Sequence, residues 1–217
     1  CLCMACGGND SKDYWGDTSG GEDEEPTENP NASKPRYIWI DAAANFPDFA
    51  NSKENIARDL ALAKDAGFTD IVVDVRPTTG DVLFKTNLVD QVKFMYAWIG
   101  SNYTKVERTA TWDYLQAFVD EARKQGLRIH AAINTFVGGN QIDGGTGLLY
   151  RDQSKAEWAT QMNMQVGITS VMNTSESTKF FNPAHPEVQT FLCDLLKDLA
   201  GYDLDGIFLD RGRFLNL

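Results

Sequence analysis

The sequence predicts an α/β fold, a (β/α)8 TIM barrel of which this chain supplies about the first four β/α units. From Arg36 onward, short apolar runs typical of strands alternate with stretches of helical spacing, the pattern of parallel strands joined by right-handed crossovers. Connections after strands are long and those after helices are short, as in barrels whose active-site loops follow the strands. The first strand–helix turn, residues 41–45, lacks the glycines of a dinucleotide-binding open sheet.

The first two units are defined by apolar runs and helix-end signals. Residues 37–40, Tyr-Ile-Trp-Ile, predict the first strand, and Asn51 or Ser52 caps a helix that ends at Gly67. Residues 71–75 predict the second strand. After a long connection over residues 77–111, residues 112–122 predict the second helix, which Gly126 ends.

The third and fourth units follow the same pattern with a longer connection. Residues 127–133 predict the third strand, and a polar connection follows over residues 138–184. Trp158 and Met162 indicate a short helix inside that connection. Pro186 begins the third helix, and residues 207–209 predict the fourth strand. We expect parallel strands in the order one to four, with helices on the outer face only.

Charge and composition divide the chain near residue 35. Residues 1–35 carry eight Asp and Glu against Lys12 and Lys34, and few aliphatic residues. Such a stretch predicts a lipoprotein signal remnant and disordered acidic linker, ahead of the N-terminal half of a TIM barrel over residues 36–217. The net charge of −11 argues against nucleic acid as a partner, and no apolar run is long enough to span a bilayer.

The first residues resemble a bacterial lipobox. In Cys3-Met4-Ala5-Cys6-Gly7-Gly8, a small residue precedes Cys6 and glycines follow it. Cys6 would then carry the lipid, and the acidic run after it resembles the surface-export signals of Bacteroidetes lipoproteins. The expected location is the cell envelope, lipid-anchored to the outer membrane and periplasmic or surface-exposed; a chance cluster of cysteines is the alternative. Retention of a Cys6→Ala variant in the membrane fraction would count against lipidation.

Polar residues end all four predicted strands. Side chains alternate between the faces of a strand, so Asp41, Asp74, Arg76, Asn134 and Asp210 are all predicted to turn inward at the carboxyl-terminal rim. Barrel active sites lie at that rim.

Each of these residues also has a structural interpretation. Asp41 could cap the turn that follows it. Asp74 and Arg76 could form a buried ion pair. His130, on the same face, could be a hydrogen-bonded core histidine. For Asp210, an isolated carboxylate at a strand end, a site role is favoured.

Four segments together resemble a known family. They are RYIWIDAAANFPDFANSKENIARDLALAKDAGFTDI, VVDVRPTTGDVLFKT, LRIHAAINTF and NPAHPEVQTFLCDLLKDLAGYDLDGIFLDRGRF. In order across about residues 36–214, they are similar to the bacterial glycosyl-hydrolase-like family 10, whose members have a (β/α)8 barrel. Many relatives have a second Asp and a Tyr after the fourth-strand aspartate, where this chain has Arg211 and Gly212.

The resemblance implies a glycoside hydrolase that acts on a poly- or oligosaccharide with paired carboxylates and no cofactor or metal. It implies Asp210 as one catalytic carboxylate, with its partner on a later strand beyond residue 217. Asp41, Asp74, Arg76, Asn134 and Arg213 would bind the substrate, and Arg76 near Asp210 would keep that carboxylate ionised.

Two alternatives remain open. The first is a non-catalytic glycan-binding or scaffold lipoprotein with a degenerate barrel. The second is a barrel hydrolase of another polymer or a metal-dependent enzyme, for which only His130 and His185 are available as histidine ligands.

Overall fold

The computed structural model of the chain describes residues 34–165 and 167–212. The expectations for Cys6, for the acidic linker over residues 1–33 and for Arg213 lie outside the described residues. The strands are β1 Tyr37–Ile40, β2 Asp70–Arg76, β3 Phe94–Ile99, β4 Asn102–Glu107, β5 Arg128–Asn134, β6 Val137–Asn140, β7 Gln161–Met164, β8 Gly167–Ser170, β9 Thr178–Phe180 and β10 Gly206–Asp210. The α-helices are α1 Phe46–Phe49, α2 Lys53–Asp65, α3 Tyr114–Gln125, α4 Leu148–Arg151 and α5 Pro186–Leu199, and 3-10 turns cover Ile142–Gly144, Gln153–Trp158 and Val171–Asn173.

The central feature is a four-stranded sheet in the order β1-β2-β5-β10. Every neighbouring pair in it is parallel, so the predicted order of the four strands is confirmed. Parallel pairing brings all four carboxyl ends to one edge of the sheet. The register aligns Asp210 with Asn134, and Asp74 with Ala132.

The long helices begin and end where the sequence provides caps. Ser52 accepts the Asn55 N–H and begins α2, and Asp113 accepts the Gln116 N–H and begins α3 two residues later than predicted. Gly126 ends α3 in the left-handed conformation, with φ 67°. His185 caps α5 by accepting the Glu187 N–H, which gives this histidine a structural contact.

The helices cover one face of the sheet. Ile71, Val73, Ile129 and Ala131 belong to the same buried cluster as the apolar side chains of α2, α3 and α5. The opposite face carries Tyr37, Trp39, His130 and Phe208, which contact one another as an aromatic group. Trp39 is 45% exposed and Phe208 is 38% exposed. Among the described residues, the helices therefore lie on the predicted face. None of them is long and apolar enough to cross a membrane.

The two long connections, predicted as loops from the sequence, contain ordered hairpins. β3 and β4 pair antiparallel within the connection after β2. The connection after β5 holds the antiparallel pairs β6–β9 and β7–β8. The predicted helix around Trp158 and Met162 is corrected: Trp158 ends a 3-10 turn, but Met162 lies in β7. A strand replaces the helix because Met162 pairs with Thr169 across the hairpin.

Candidate functional site

A pocket of about 110 Å³ lies at the carboxyl ends of the four parallel strands. A polar side chain at the end of each strand, or directly after it, lines this cavity, which we name the carboxyl-end pocket. Its polar residues are Asp41, Asp74, Asn134, Asp210 and Arg211, and Trp39, Ala43, Thr78 and Met95 also line it. Four of the five residues predicted to converge at this rim therefore do so.

Asp74 is the buried carboxyl of the pocket. Only 8% of the residue is exposed, and its Oδ1 accepts the Arg76 backbone N–H at 3.2 Å. Burial, together with the negative charges of Asp41 and Asp210, raises the pKa of the Asp74 carboxyl to about 7. At neutral pH the carboxyl is therefore protonated in a large fraction of molecules.

Asp41 and Asp210 are exposed carboxylates, each held by backbone N–H groups. Asp41 Oδ1 accepts the N–H groups of Ala43 at 2.9 Å and Ala44 at 2.8 Å, so the interpretation of Asp41 as a turn cap is confirmed. Asp210 Oδ1 accepts the Arg211 N–H at 2.7 Å. Arg211 has a φ of 45°, in the left-handed region that non-glycine residues seldom adopt. Such strain often occurs at functional sites.

Asn134 joins the pocket to the neighbouring strand. Its Nδ2 donates to the Arg76 carbonyl at 2.9 Å, and the residue is buried. Its neighbour Thr135 donates its N–H to the Asp210 carbonyl at 2.7 Å. The ends of β2, β5 and β10 are thus tied together directly beneath the pocket.

The predicted inward position of Arg76 is wrong. The register shifts between Asp74 and Arg76, a bulge that breaks the strict alternation of side chains. The guanidinium is fully buried and donates to the carbonyls of Asn134, Thr135 and Val137. Arg76 therefore fixes the loop after β5 and does not line the pocket beside Asp210. It forms no ion pair with Asp74 either, which accepts only its backbone N–H.

The turn after β2 packs closely against the loop after β5. Gly80 has a φ of 80°, and a Cβ there would lie 2.9 Å from the Gly139 nitrogen. Thr146 Oγ1 donates to the Thr79 carbonyl at 2.9 Å, and Arg151 pairs with the buried Asp81. Only glycine lets the two backbones come this close, which explains why the Arg-Pro-Thr-Thr-Gly-Asp segment has a glycine at position 80.

The two histidines have structural contacts. His130 Nε2 lies 2.8 Å from Asp70 Oδ1, so its interpretation as a bonded core histidine is confirmed. Arg128 also binds Asp70, and this contact holds the pKa of the Asp70 carboxyl well below its usual range. In the described part of the chain, no three His, Cys, Asp or Glu side chains are grouped to hold a metal ion.

One part of the site was not predicted from the sequence. Met95, which lines the carboxyl-end pocket, comes from the hairpin of β3 and β4. The alternation of Phe94, Tyr96 and Trp98 with Met95 and Ala97 was the period-two signal that could have revealed that strand.

The raised pKa of Asp74 predicts a pH-dependent stability that an Asp74→Asn variant should lack. The folded-state value of about 7 lies above the ordinary 3.8, so the folded protein holds a proton that the unfolded chain releases. The stability that this proton contributes to the folded protein is fully present below about pH 4 and is lost as the pH rises through about 7. Urea denaturation should show that the free energy of unfolding of the wild type falls, relative to that of Asp74→Asn, between about pH 4 and pH 8. The expected fall is on the order of a few kcal/mol. A constant difference between the two proteins would contradict the placement of Asp74.

Sequence comparison identifies relatives over nearly all of the described residues. The family model described as Glycosyl hydrolase-like 10 matches residues 34–214. An S-layer-related protein from Niallia circulans is 30% identical over 185 residues, which cover 82% of this chain and 11% of that protein. The chain thus spans about a tenth of the length of this relative.

Solved structures share the fold at low sequence identity. Alpha-L-fucosidase isoenzyme 2 from Paenibacillus thiaminolyticus has a TM-score of 0.52 and 19% identity, over 81% of this chain and 23% of that one. An alpha-amylase from Lactobacillus plantarum has a TM-score of 0.52 and 16% identity, over 84% and 39%. A hypothetical protein from Ruminiclostridium thermocellum has a TM-score of 0.51 and 15% identity, over 83% and 78%. At such identities these matches show the fold alone, an α/β fold shared with TIM-barrel glycoside hydrolases.

Proposed function

The chain belongs to the glycosyl hydrolase-like 10 family, and from that premise we propose that it forms four units of a (β/α)8 barrel whose carboxyl-end pocket hydrolyses a poly- or oligosaccharide. Asp210 is the catalytic carboxylate in this proposal. Asp41, Asp74 and Asn134 bind sugar hydroxyls, and the acid partner of Asp210 comes from a further strand of the barrel.

The uncovered surfaces of the sheet support a larger barrel. Among the residues that the structure describes, β1 and β10 are its two edges, and an unpaired edge offers backbone hydrogen-bonding groups to a further strand. Leu209, on the helix-facing side of β10, is 44% exposed, and the aromatic group on the other face is only partly covered. Further strands and helices would bury these apolar surfaces, as closure does in (β/α)8 barrels.

The observation that carries the catalytic proposal is that three carboxyl groups with different environments share one pocket. Glycoside hydrolysis needs carboxyl groups in different protonation states near one sugar ring. Asp210 is exposed at the strand end, where a reacting sugar could reach it. The Asp74 carboxyl, when protonated, both donates and accepts hydrogen bonds, which matches the hydroxyl groups of a sugar.

A second candidate is a glycan-binding scaffold in the cell envelope. Arg211 lies in the pocket and its backbone N–H occupies one oxygen of Asp210, which would restrict that carboxylate as a nucleophile. The relative from Niallia circulans is named an S-layer-related protein, and a scaffold anchored through Cys6 would suit a similar setting.

Release of reducing ends separates the two candidates. We expect the whole wild-type protein to release reducing sugars from at least one member of a panel of neutral polysaccharides. The same panel, immobilised, would measure binding. Binding without any release of reducing ends would contradict the catalytic proposal and favour the scaffold.

A further inference from the structure

The hairpin of β3 and β4 presents a row of aromatic rings to solvent. Phe94, Tyr96 and Trp98 alternate along β3 and share one face, and Tyr103 lies opposite Trp98 on β4. The ring of Tyr103 stacks on that of Tyr96, with 5.3 Å between the ring centroids and 29° between the ring planes. Its centroid also lies 5.3 Å from that of Trp98. Met95 and Ala97, on the other face, are buried against the protein. We name this hairpin the aromatic hairpin.

Cross-strand packing alone does not account for this exposure. Aromatic pairs stabilise a hairpin, and that explains the contacts between the rings. Yet Trp98 is 67% exposed and Tyr103 is 57% exposed, so the described part of the chain leaves most of their surface uncovered. Contiguous exposed aromatic surface is typical of a binding site.

The aromatic hairpin forms one wall of a cleft of about 480 Å³, which we name the aromatic cleft. Phe94, Tyr96 and Tyr103 line this wall, and Asn140, Gln141 and Ser177 line the opposite wall. All residues that line the cleft are uncharged. Aromatic rings opposite amide and hydroxyl groups match a neutral ligand with apolar ring faces and a rim of hydroxyls, which is the chemistry of a sugar ring.

Polar contacts hold the two walls in place. Tyr96 Oη donates to Asp143 at 3.0 Å, and Lys105 Nζ pairs with the same carboxylate at 2.5 Å. Lys105 also lies 4.0 Å above the ring of Phe94. Asp143 belongs to the 3-10 turn that follows Asn140 and Gln141, so the hairpin is tied to the far wall. A cleft fixed in this way loses little conformational entropy on binding.

The aromatic cleft adjoins the carboxyl-end pocket, because Ala43, Thr78 and Met95 line both. We propose that the aromatic cleft binds successive sugar units of the neutral glycan chain whose reacting unit occupies the carboxyl-end pocket, so that the ligand is a chain and not a short glycoside. The placement of the reacting sugar in the carboxyl-end pocket rests on the proposed function. The binding of a neutral glycan in the aromatic cleft is independent of that function.

Binding of oligosaccharides of increasing length tests this proposal. Calorimetry with malto-, cello- and N-acetylchito-oligosaccharides, from disaccharide to hexasaccharide, should show tighter binding of the longer members of one series. Tyr103→Ala should weaken binding of that hexasaccharide about tenfold, which corresponds to about 1.4 kcal/mol. Disaccharide binding should not change. Tyr103→Phe keeps the ring and should bind like the wild type.

Two further variants keep the test decisive. Gln141→Ala leaves the aromatic hairpin intact and should weaken hexasaccharide binding severalfold, which covers the case in which Tyr103→Ala disturbs the hairpin. Ile168→Ala truncates a side chain that is exposed on another hairpin and should have no effect.

Failure of this inference is distinguishable from failure of the proposed function. Unchanged hexasaccharide binding in both Tyr103→Ala and Gln141→Ala would overturn the aromatic cleft, even if the protein cleaves glycans. Absence of binding to all three neutral series would overturn it too. Length-dependent binding that both variants weaken would support the cleft even if no reducing ends were released, and only the catalytic proposal would then fail.

Discussion

Asp210→Asn is expected to lower the turnover number by at least about 10²- to 10⁴-fold while KM changes little. The amide has nearly the size of the carboxylate, so the backbone contacts of Asp210 with Arg211 and Thr135 can persist. It cannot act as a base or nucleophile, however, and that function is needed only as the reaction proceeds. Initial rates at saturating and limiting concentrations of the cleaved polysaccharide would measure both parameters.

A matched carboxylate provides the control for this substitution. Asp194 on α5 pairs with Lys197 one turn later, away from the carboxyl-end pocket. Asp194→Asn should therefore leave turnover unchanged. Near-normal turnover of a folded Asp210→Asn variant would remove Asp210 from the mechanism.

Arg76→Met is expected to cost about 3 kcal/mol or more of the free energy of unfolding. The substitution removes the donors that satisfy three carbonyl groups of the loop after β5, in a region closed to water. One of these carbonyls belongs to Asn134, whose side chain lines the carboxyl-end pocket and donates to the Arg76 carbonyl. The substitution should therefore also loosen this side of the pocket. Urea denaturation measures the loss.

Two other variants show whether the stability depends on the geometry of the guanidinium donors or on the charge alone. Arg76→Lys should recover only a minor part of the loss, because an ammonium group cannot reproduce the planar fork of donors. Arg58→Met removes an arginine that is exposed and bound to the adjacent Asp59, and should not measurably change stability. Full recovery by lysine would mean that charge, and not the fork, is what the site requires.

The strand order was predictable because it depends on local patterns. The apolar runs at residues 71–75 and 127–133 and the helix stops at Gly67 and Gly126 specify parallel units without any long-range information. The site residues Asp41, Asn134 and Asp210 followed from strand ends and side-chain parity. The bulge after Asp74 was not predictable in this way, because an extra residue in a strand leaves no mark in an apolar run. Arg76 was therefore assigned to the wrong side.

The protonation of Asp74 and the aromatic cleft depend on contacts between distant segments. The raised pKa of Asp74 comes mainly from its burial, and the strand-end pattern that placed Asp74 beside Asp41 and Asp210 does not show how deeply each carboxyl is buried. The cleft needs residues 94–103 and 140–142 side by side, although they belong to connections after different strands. Alternation could have identified the hairpin, but it could not have placed the hairpin beside the pocket.

A crystal structure of the Asp210→Asn variant with a hexasaccharide from the series that binds most tightly would show whether a glycan chain occupies the carboxyl-end pocket and the aromatic cleft together. We expect one sugar ring in the carboxyl-end pocket, in contact with Asp41, Asp74 or Asn134, and further rings in the aromatic cleft over Tyr103. A chain bound on another surface, with no sugar in the carboxyl-end pocket, would contradict it.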